Sequence, residues 1–283
     1  MPTQRRPVSA LIKKIIETDG FNALIKGRYG YYLYNKNDIY VGRAIDKYGE
    51  FSEGEAKLFK QICKPGFIVV EIGANIGTHT VLLSQLVGPY GRVLAFEPQR
   101  VVFQNLCANI ALNSLQNVEC YQKAVGAQSG HVLIPDIKYD QEGNFGGVEV
   151  NKFEQGQAVD LVTLDQFYEY PKLDFLKVDV EGMEKEVIDG ASALIKKHQP
   201  IIYIENDRKD KSQALIETIR SFDYKLYWHG PPLFNPDNFA SDSENIYGDI
   251  ISLNMFCLHS SLKADMTGFN EVTDSSAFPL DPK

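Results

Sequence analysis

The sequence is poor in several residue types that mark particular functions. It has one tryptophan and four cysteines, Cys63, Cys107, Cys120 and Cys257. None of the cysteines forms a Cys-x-x-Cys pair or has a histidine at ligand spacing, which excludes a zinc-ribbon or thioredoxin-type motif. Free thiols suit a reducing compartment, so a cytoplasmic location is expected. No run of about 18 apolar residues occurs, so no transmembrane segment is expected. A basic surplus is also absent. The net charge of −8 argues against nucleic acid as a partner, because phosphate-backbone binding rests on lysine and arginine. Near the N-terminus, Lys13, Lys14, Glu17 and Asp19 interrupt the apolar stretch, which therefore does not read as a secretion-signal core. Val8, Leu11, Ile12, Ile15 and Ile16 instead predict a short amphipathic helix over 8–17.

What remains is enough to bury one large core, since 44% of the 283 residues are hydrophobic. The expected organisation is an N-terminal extension over 1–55, a main domain over 56–260 and a C-terminal tail over 261–283, polar from Asp274 to Lys283. In the extension, Tyr31–Tyr34 and Ile39–Val41 predict two strands. Asn35-Lys36-Asn37-Asp38 supplies turn chemistry between them, giving a hairpin. Glu53–Cys63 predicts a helix with Ser52 as N-cap and Glu55 at the capping-box position. Phe67–Ile72 is a continuous apolar run ended by glycine, the pattern of a strand buried on both faces. From there strands and helices alternate: strands at Val93–Phe96, Val118–Tyr121, Phe175–Val180 and Ile201–Glu205, and helices at Thr78–Leu86, Val101–Asn113, Glu184–Lys197 and Ser212–Phe222. Such alternation implies a doubly wound, mostly parallel α/β sheet. Tyr224–Tyr227 and Ile250–Leu258 are the last strands. Two segments break the rhythm, a glycine-rich hairpin insertion over 127–160 and a long loop over 229–248, and such loops often carry function.

The chemistry is expected at the carboxyl ends of the strands, where open α/β sheets bind ligands. The first strand ends in Glu71-Ile72-Gly73-Ala74-Asn75-Ile76-Gly77. Glycines there permit a sharp turn and close ligand approach, and the helix opening at Thr78 offers free N–H groups. Strand two ends in Glu97-Pro98, and a carboxylate at that point can accept both hydroxyls of a ribose. The loop is Gly-x-x-x-Gly, not the Gly-x-Gly-x-x-Gly of a dinucleotide site. Glu71 would repel a pyrophosphate but suits an ammonium group. A nucleoside with an amino-acid end and no phosphate fits both carboxylates, and S-adenosylmethionine is such a ligand.

At this point the chain resembles a known family. The segment Glu71 to Thr80 (EIGANIGTHT), the triplet Phe96-Glu97-Pro98 and the segment Leu176 to Glu184 (LKVDVEGME) are similar to motifs of the FkbM family of S-adenosylmethionine-dependent methyltransferases. Tyr48 to Ser52 (YGEFS) and Asn144 to Gly147 (NFGG) also resemble that family, and the resemblance spans roughly 40–258. It implies the class I methyltransferase fold, Rossmann-like, with a seven-stranded sheet whose last strand is antiparallel. It further implies O-methylation, often of sugar hydroxyls in glycans or natural products. By the resemblance, Gly73, Ala74, Asn75 and Gly77 line the methionine end, with Thr78 and His79 following, Glu97 and Pro98 hold the ribose, and Ala124 lies near the adenine. Tyr48 and Ser52 close over the cofactor from the N-terminal side. Many relatives carry aspartate where this chain has Glu71, and either carboxylate can take the ammonium.

The acceptor side leaves alternatives open. Asp179 and Glu181 end strand four, and one of them can serve as base or orienting group in a metal-free site. Alternatively, Asp179, Glu205 and Asn206 supply oxygen ligands for Mg²⁺, as metal-dependent small-molecule O-methyltransferases with acids at these strand ends suggest. Helix capping by these acids is the plain structural reading. His229, opening the long loop, is a candidate base, and Tyr227, Trp228 and Phe234 offer rings for a sugar face or simply core. Lys177, inside its strand, reads as an ion-paired lysine. An N-methyltransferase is disfavoured because Asp179-Val180-Glu181-Gly182 stands where an Asn/Asp-Pro-Pro-Tyr motif belongs, and a non-catalytic binding module because the strand-end carboxylates are intact. The expected partner is a small-molecule or glycan substrate, with a homodimer contact through the N-terminal hairpin as one option.

Overall fold

A computed structural model describes residues 14–149 and 153–280. An antiparallel three-stranded sheet comes first: β1 (Lys14–Glu17), β2 (Asn22–Lys26) and β3 (Tyr31–Asn35). Helices α1 (Val41–Tyr48) and α2 (Glu53–Ile62) lead to β4 (Ile68–Ile72), α3 (Thr78–Val87), β5 (Arg92–Phe96), α4 (Arg100–Leu112) and β6 (Val118–Tyr121). A second small sheet follows, made of β7 (Ala124–Val125), β8 (Gly130–Ile134) and β9 (Gln157–Val162), in the order β7-β9-β8. The chain continues through α5 (Leu164–Phe167), β10 (Phe175–Val178), α6 (Glu184–Asp189), α7 (Ser192–His198), β11 (Ile201–Glu205), α8 (Lys209–Arg220), β12 (Tyr224–His229), β13 (Asn254–His259) and β14 (Asn270–Glu271).

The main sheet runs β6-β5-β4-β10-β11-β13-β12, with the short β14 added at the β12 edge. Strands β6, β5, β4, β10 and β11 are parallel, and β13 is antiparallel to both neighbours. This is the class I methyltransferase arrangement, with the strand order reversing beside β4. No helix among the described residues is long and apolar enough to cross a membrane.

Successive side chains of the buried central strands enter opposite cores. On β4, β10 and β11, Val70, Ile72, Leu176, Val178, Ile202 and Ile204 enter one core with α6, α7 and α8. Val69, Phe175 and Tyr203 enter the opposite core with Phe59 of α2 and Leu83 of α3. The period-two rule then sends Glu71, Lys177, Asp179 and Glu205 toward the α2 and α3 side.

The N-terminal region departs from the expected layout. Lys14–Glu17 is an exposed edge strand paired with β2, not the end of a helix; the remainder of the helix expected over 8–17 lies outside the described residues. The partner of Tyr31–Asn35 is β2, and Ile39–Val41 is not a strand. Asn35–Asp38 is a turn, as its residues imply, with the Asp38 N–H donating to the Asn35 carbonyl at 3.3 Å, but it leads into α1 rather than into a second strand. The Asp38 carboxylate accepts the Tyr40 N–H at 2.9 Å, a second side-chain-to-backbone turn ahead of the helix. The free edge of β3 is covered by α4. Asn109 and Asn113, one turn apart, pair with the backbone of Leu33 and Tyr31 through both amide atoms, so helix side chains replace a neighbouring strand. The single helix expected over 184–197 is two, broken at Gly190, where a Cβ would lie 2.0 Å from the Gly126 carbonyl. The C-terminal tail contributes β14 and packs Phe269 and Phe278 near His229 and Trp228.

Candidate active site

The carboxyl ends of β4, β5, β10 and β11 open into one cavity. Its wall includes Glu71, Gly73, Ala74, Asn75, Thr78, His79, Glu97, Pro98, Ala124, Asp179, Glu181 and Glu205. Most of the residues expected to bind a nucleoside cofactor are therefore brought together.

The glycine loop is tied down from two sides. Gly73 has φ +80°, and a Cβ there would lie 1.7 Å from the Asp179 carbonyl. The loop thus rests on the end of β10, and only glycine permits it. Its far side is held by Glu97, whose two oxygens accept the Asn75 N–H at 3.0 Å and the Gln99 N–H at 2.9 Å. Each oxygen keeps a second lone pair, and the residue lines the cavity. Burial raises the Glu97 carboxyl to about 7 against the two backbone bonds.

Glu71 is 1% exposed. One of its oxygens accepts the Thr80 hydroxyl at 2.6 Å, and the other lies 3.9 Å from Lys177 Nζ. Burial lifts it to about 7, with Lys177 and Thr80 pulling it down. Lys177 also meets Asp179 at 3.2 Å. Burial disfavours its ammonium, but Asp179, Glu71 and Glu55 more than offset this and raise it. The lysine read as ion-paired is so, and it is buried between Glu71 and Asp179.

Just beyond β10, Glu181 sits at φ 55° and Gly182 at φ 92°, two successive left-handed residues. This turn is fixed by Glu184, whose carboxylate accepts the Gly182 N–H at 2.9 Å. Strained backbone of this kind is held by its surroundings and often marks a functional turn. One ligand oxygen from each of Asp179, Glu181 and Glu205 falls within 4.8 Å of the others. Burial, and then the charge of Asp179, raises Glu181 to about 7 and drives Glu205 well above the carboxylate range. Arg208 spans Glu181 at 2.8 Å and Glu149 at 2.6 Å, tying the β10 end to the insertion.

Five expected site residues lie elsewhere. Tyr48 is buried under the 229–248 loop, where its hydroxyl donates to the Glu244 carbonyl at 2.6 Å and accepts the Ile246 N–H at 3.0 Å. The Ser52 hydroxyl donates to Glu55 at 2.7 Å rather than capping α2 or facing the cavity. Gly77 packs toward Leu106. His229 is held by Tyr203 at 2.8 Å from Nδ1 and stacks near Phe269; it does not line the cavity. Asn206 follows Glu205 and so points to the other face of the strand, where its amide meets Met255 Sδ at 3.3 Å. Glu181 takes its place beside Asp179 and Glu205. Tyr227, Trp228 and Phe234 are also packed away from the cavity, as core.

Other lining residues were not anticipated. Asn144 and Gly146 of the insertion join the lining, with the Phe145 carbonyl accepting the Gln99 amide at 2.7 Å. Phe51, Leu233, Ile250 and Ile251 add apolar surface to the lining. Glu55 and Ser252 complete the floor.

Comparison with known families decides the assignment: residues 71–226 match the model of the methyltransferase FkbM domain. The chain belongs to the FkbM methyltransferase family. Among relatives, methyltransferase sdnD of Sordaria araneosa is 30% identical over 154 residues, 43% of this chain and 59% of that protein. Methyltransferase 1 of Beauveria bassiana (strain ARSEF 2860) is 29% identical over 143 residues, 43% of this chain and 57% of its own. The matched regions thus span less than two thirds of either relative. Of solved structures, methyltransferase FkbM from Methylobacillus flagellatus KT aligns with a TM-score of 0.47 at 18% identity, covering 71% of this chain and 50% of its own. The FkbM match covers β4 to β12 and so contains the glycine loop, Glu97, Asp179, Glu181 and Glu205, but not α2.

Proposed function

We propose that this FkbM-family chain is an S-adenosylmethionine-dependent O-methyltransferase acting on a hydroxyl of a sugar, in a glycan or a glycosylated metabolite. The observation that carries the cofactor reading is the meeting of Glu71, the Gly73–Asn75 turn and Glu97 in one cavity. Carboxylates at the two ends of that turn suit an ammonium and a ribose, and neither suits a phosphate. The lining combines the acids Asp179, Glu181 and Glu205 with the apolar side chains Phe51, Leu233, Ile250 and Ile251, a mixture that supports a sugar, which presents hydroxyl edges and C–H faces.

In the reaction, the acceptor oxygen attacks the methyl carbon in line with sulfur. The C–O bond forms as the C–S bond breaks, and its electron pair leaves on sulfur as a neutral thioether. The hydroxyl proton passes to a carboxylate. Glu181, raised to about 7, is matched to that role near neutral pH. Much of the rate follows from holding the two reactants in line. The donor set also fits a hard divalent cation such as Mg²⁺, because three carboxylates converge and the buried second oxygen of Glu205 has no hydrogen-bond partner among the described residues. Asp179, Glu181 and Glu205 would hold it, and it would acidify the acceptor hydroxyl.

Calorimetric titration with S-adenosylmethionine and, separately, NAD tests the reading. Binding of the first alone supports it and justifies a screen of sugar acceptors. No binding by the folded protein sinks it.

A further inference from the structure

Glu55 has no place in the cofactor assignment above and lies before the residues matched to the family. It stands in the first turn of α2, is 3% exposed, and lines the cavity beside His79, Glu71, Lys177 and Asp179. One of its oxygens is doubly anchored. It accepts the Ser52 hydroxyl and the Ser252 hydroxyl, each at 2.7 Å, from segments 200 positions apart in the chain. The other oxygen is buried and has no hydrogen-bond partner among the described residues. A buried carboxylate oxygen left unmatched is costly unless a ligand supplies the donor. Burial raises this carboxyl above its ordinary range, with Lys177 acting against the shift.

The charge balance says what that ligand brings. Glu55, Glu71 and Asp179 face one cation, Lys177, while His79 is pushed down to about 3 by burial and is neutral. The pocket floor is short of positive charge. Glu71 is already committed to Thr80 and lies beside Lys177, whereas the second oxygen of Glu55 is not committed. We propose that Glu55 completes the cofactor site from the N-terminal extension, its unpartnered oxygen accepting a hydrogen bond from the ammonium of the methionine moiety. This rests on the S-adenosylmethionine reading. The serines at 52 and 252 are then positioning residues for that carboxylate.

The test uses two ligands that differ at the invoked group. S-adenosylhomocysteine carries the amino-acid end, and 5′-methylthioadenosine lacks it. Both are titrated calorimetrically into the full chain and into the isosteric variant Glu55→Gln. The expected result is about a tenfold or greater loss of S-adenosylhomocysteine affinity, the worth of one charge-assisted bond, with 5′-methylthioadenosine unchanged. Ser252→Ala, which removes one anchor, should give a smaller loss with the same selectivity, and it keeps the proposal testable if Glu55→Gln does not fold. Equal losses for both ligands, or no loss for S-adenosylhomocysteine, overturn the proposal; the latter with slower turnover would move Glu55 to the acceptor proton. If the unaltered protein binds neither ligand, the cofactor reading itself fails, and this proposal with it.

Discussion

Lys177 and Glu71 are register partners on adjacent parallel strands, and their side chains approach to 3.9 Å on the buried face of the sheet. Lys177 is the buried cation among Glu71, Asp179 and Glu55. Its removal leaves carboxylates without compensation, which is more damaging than the loss of the pair itself. Lys177→Met should therefore destabilise the fold by about 3–5 kcal/mol, read as a lower urea midpoint with an unchanged slope. A loss below about 1 kcal/mol would show that water reaches these groups.

Glu97 faces the ribose side with two backbone N–H groups behind it. Glu97→Ala should weaken S-adenosylhomocysteine by about 2–4 kcal/mol, the worth of two charge-assisted hydrogen bonds. Calorimetry showing unchanged affinity would remove the ribose assignment.

Acidity couples to this site in a fixed direction. Glu71 and Glu97 are raised from 4.5 to about 7 by burial. Between those values the ligand-free folded chain holds protons that the unfolded chain has released. Their contribution to stability is therefore greatest below 4.5, is lost as pH rises to about 7, and is flat above it. Cofactor binding needs the ionised carboxylates and runs the other way, strengthening from pH 6 to pH 8. The melting shift produced by S-adenosylhomocysteine should be larger at pH 8 than at pH 6. A dissociation constant flat across that range would show that both carboxyls are already ionised at pH 6.

The central strands were legible in the sequence because strands buried on both faces write continuous apolar runs, as Ile201–Glu205 does to the residue. The glycine loop and Glu97 were legible because their spacing is set by one strand–turn–helix unit. What escaped depends on contacts between distant segments. Asn35–Asp38 forms the turn its residues imply, but the chain beyond it enters α1 at Val41 instead of pairing with β3. Glu55 was hidden by its capping-box spacing from Ser52; the two side chains do meet, but inside the cavity floor. Strand periodicity alone separates Glu205 from Asn206, since neighbours point to opposite faces, and that rule would have favoured Glu181 as the third oxygen donor. Nothing local to Tyr48 announces the loop that folds over it some 200 residues later.

The three converging acids give a metal prediction with its own readout. Mg²⁺ titrated into EDTA-treated protein should bind, and Glu205→Ala should abolish the heat while leaving S-adenosylhomocysteine affinity within about twofold, because Glu205 lies at the acceptor end. No Mg²⁺ heat in the unaltered protein would leave Asp179 and Glu181 as a metal-free acid pair.

Tyr48 gives the last prediction, because the sequence and the structure assign it different work. Its hydroxyl joins the Glu244 carbonyl and the Ile246 N–H, and its ring packs against Phe234 and Tyr247. Tyr48→Phe keeps the ring contacts and deletes both hydrogen bonds of the hydroxyl. The backbone groups left behind are partly buried, so the cost should be about 1–2 kcal/mol, concentrated in the 229–248 loop. Faster amide exchange in that loop with an unchanged dissociation constant for S-adenosylhomocysteine is the expected pair of results. A weakened cofactor with an unchanged loop would return Tyr48 to the cofactor wall. The loop also carries Leu233 to the cavity rim, so its loosening should raise the acceptor KM more than it lowers kcat.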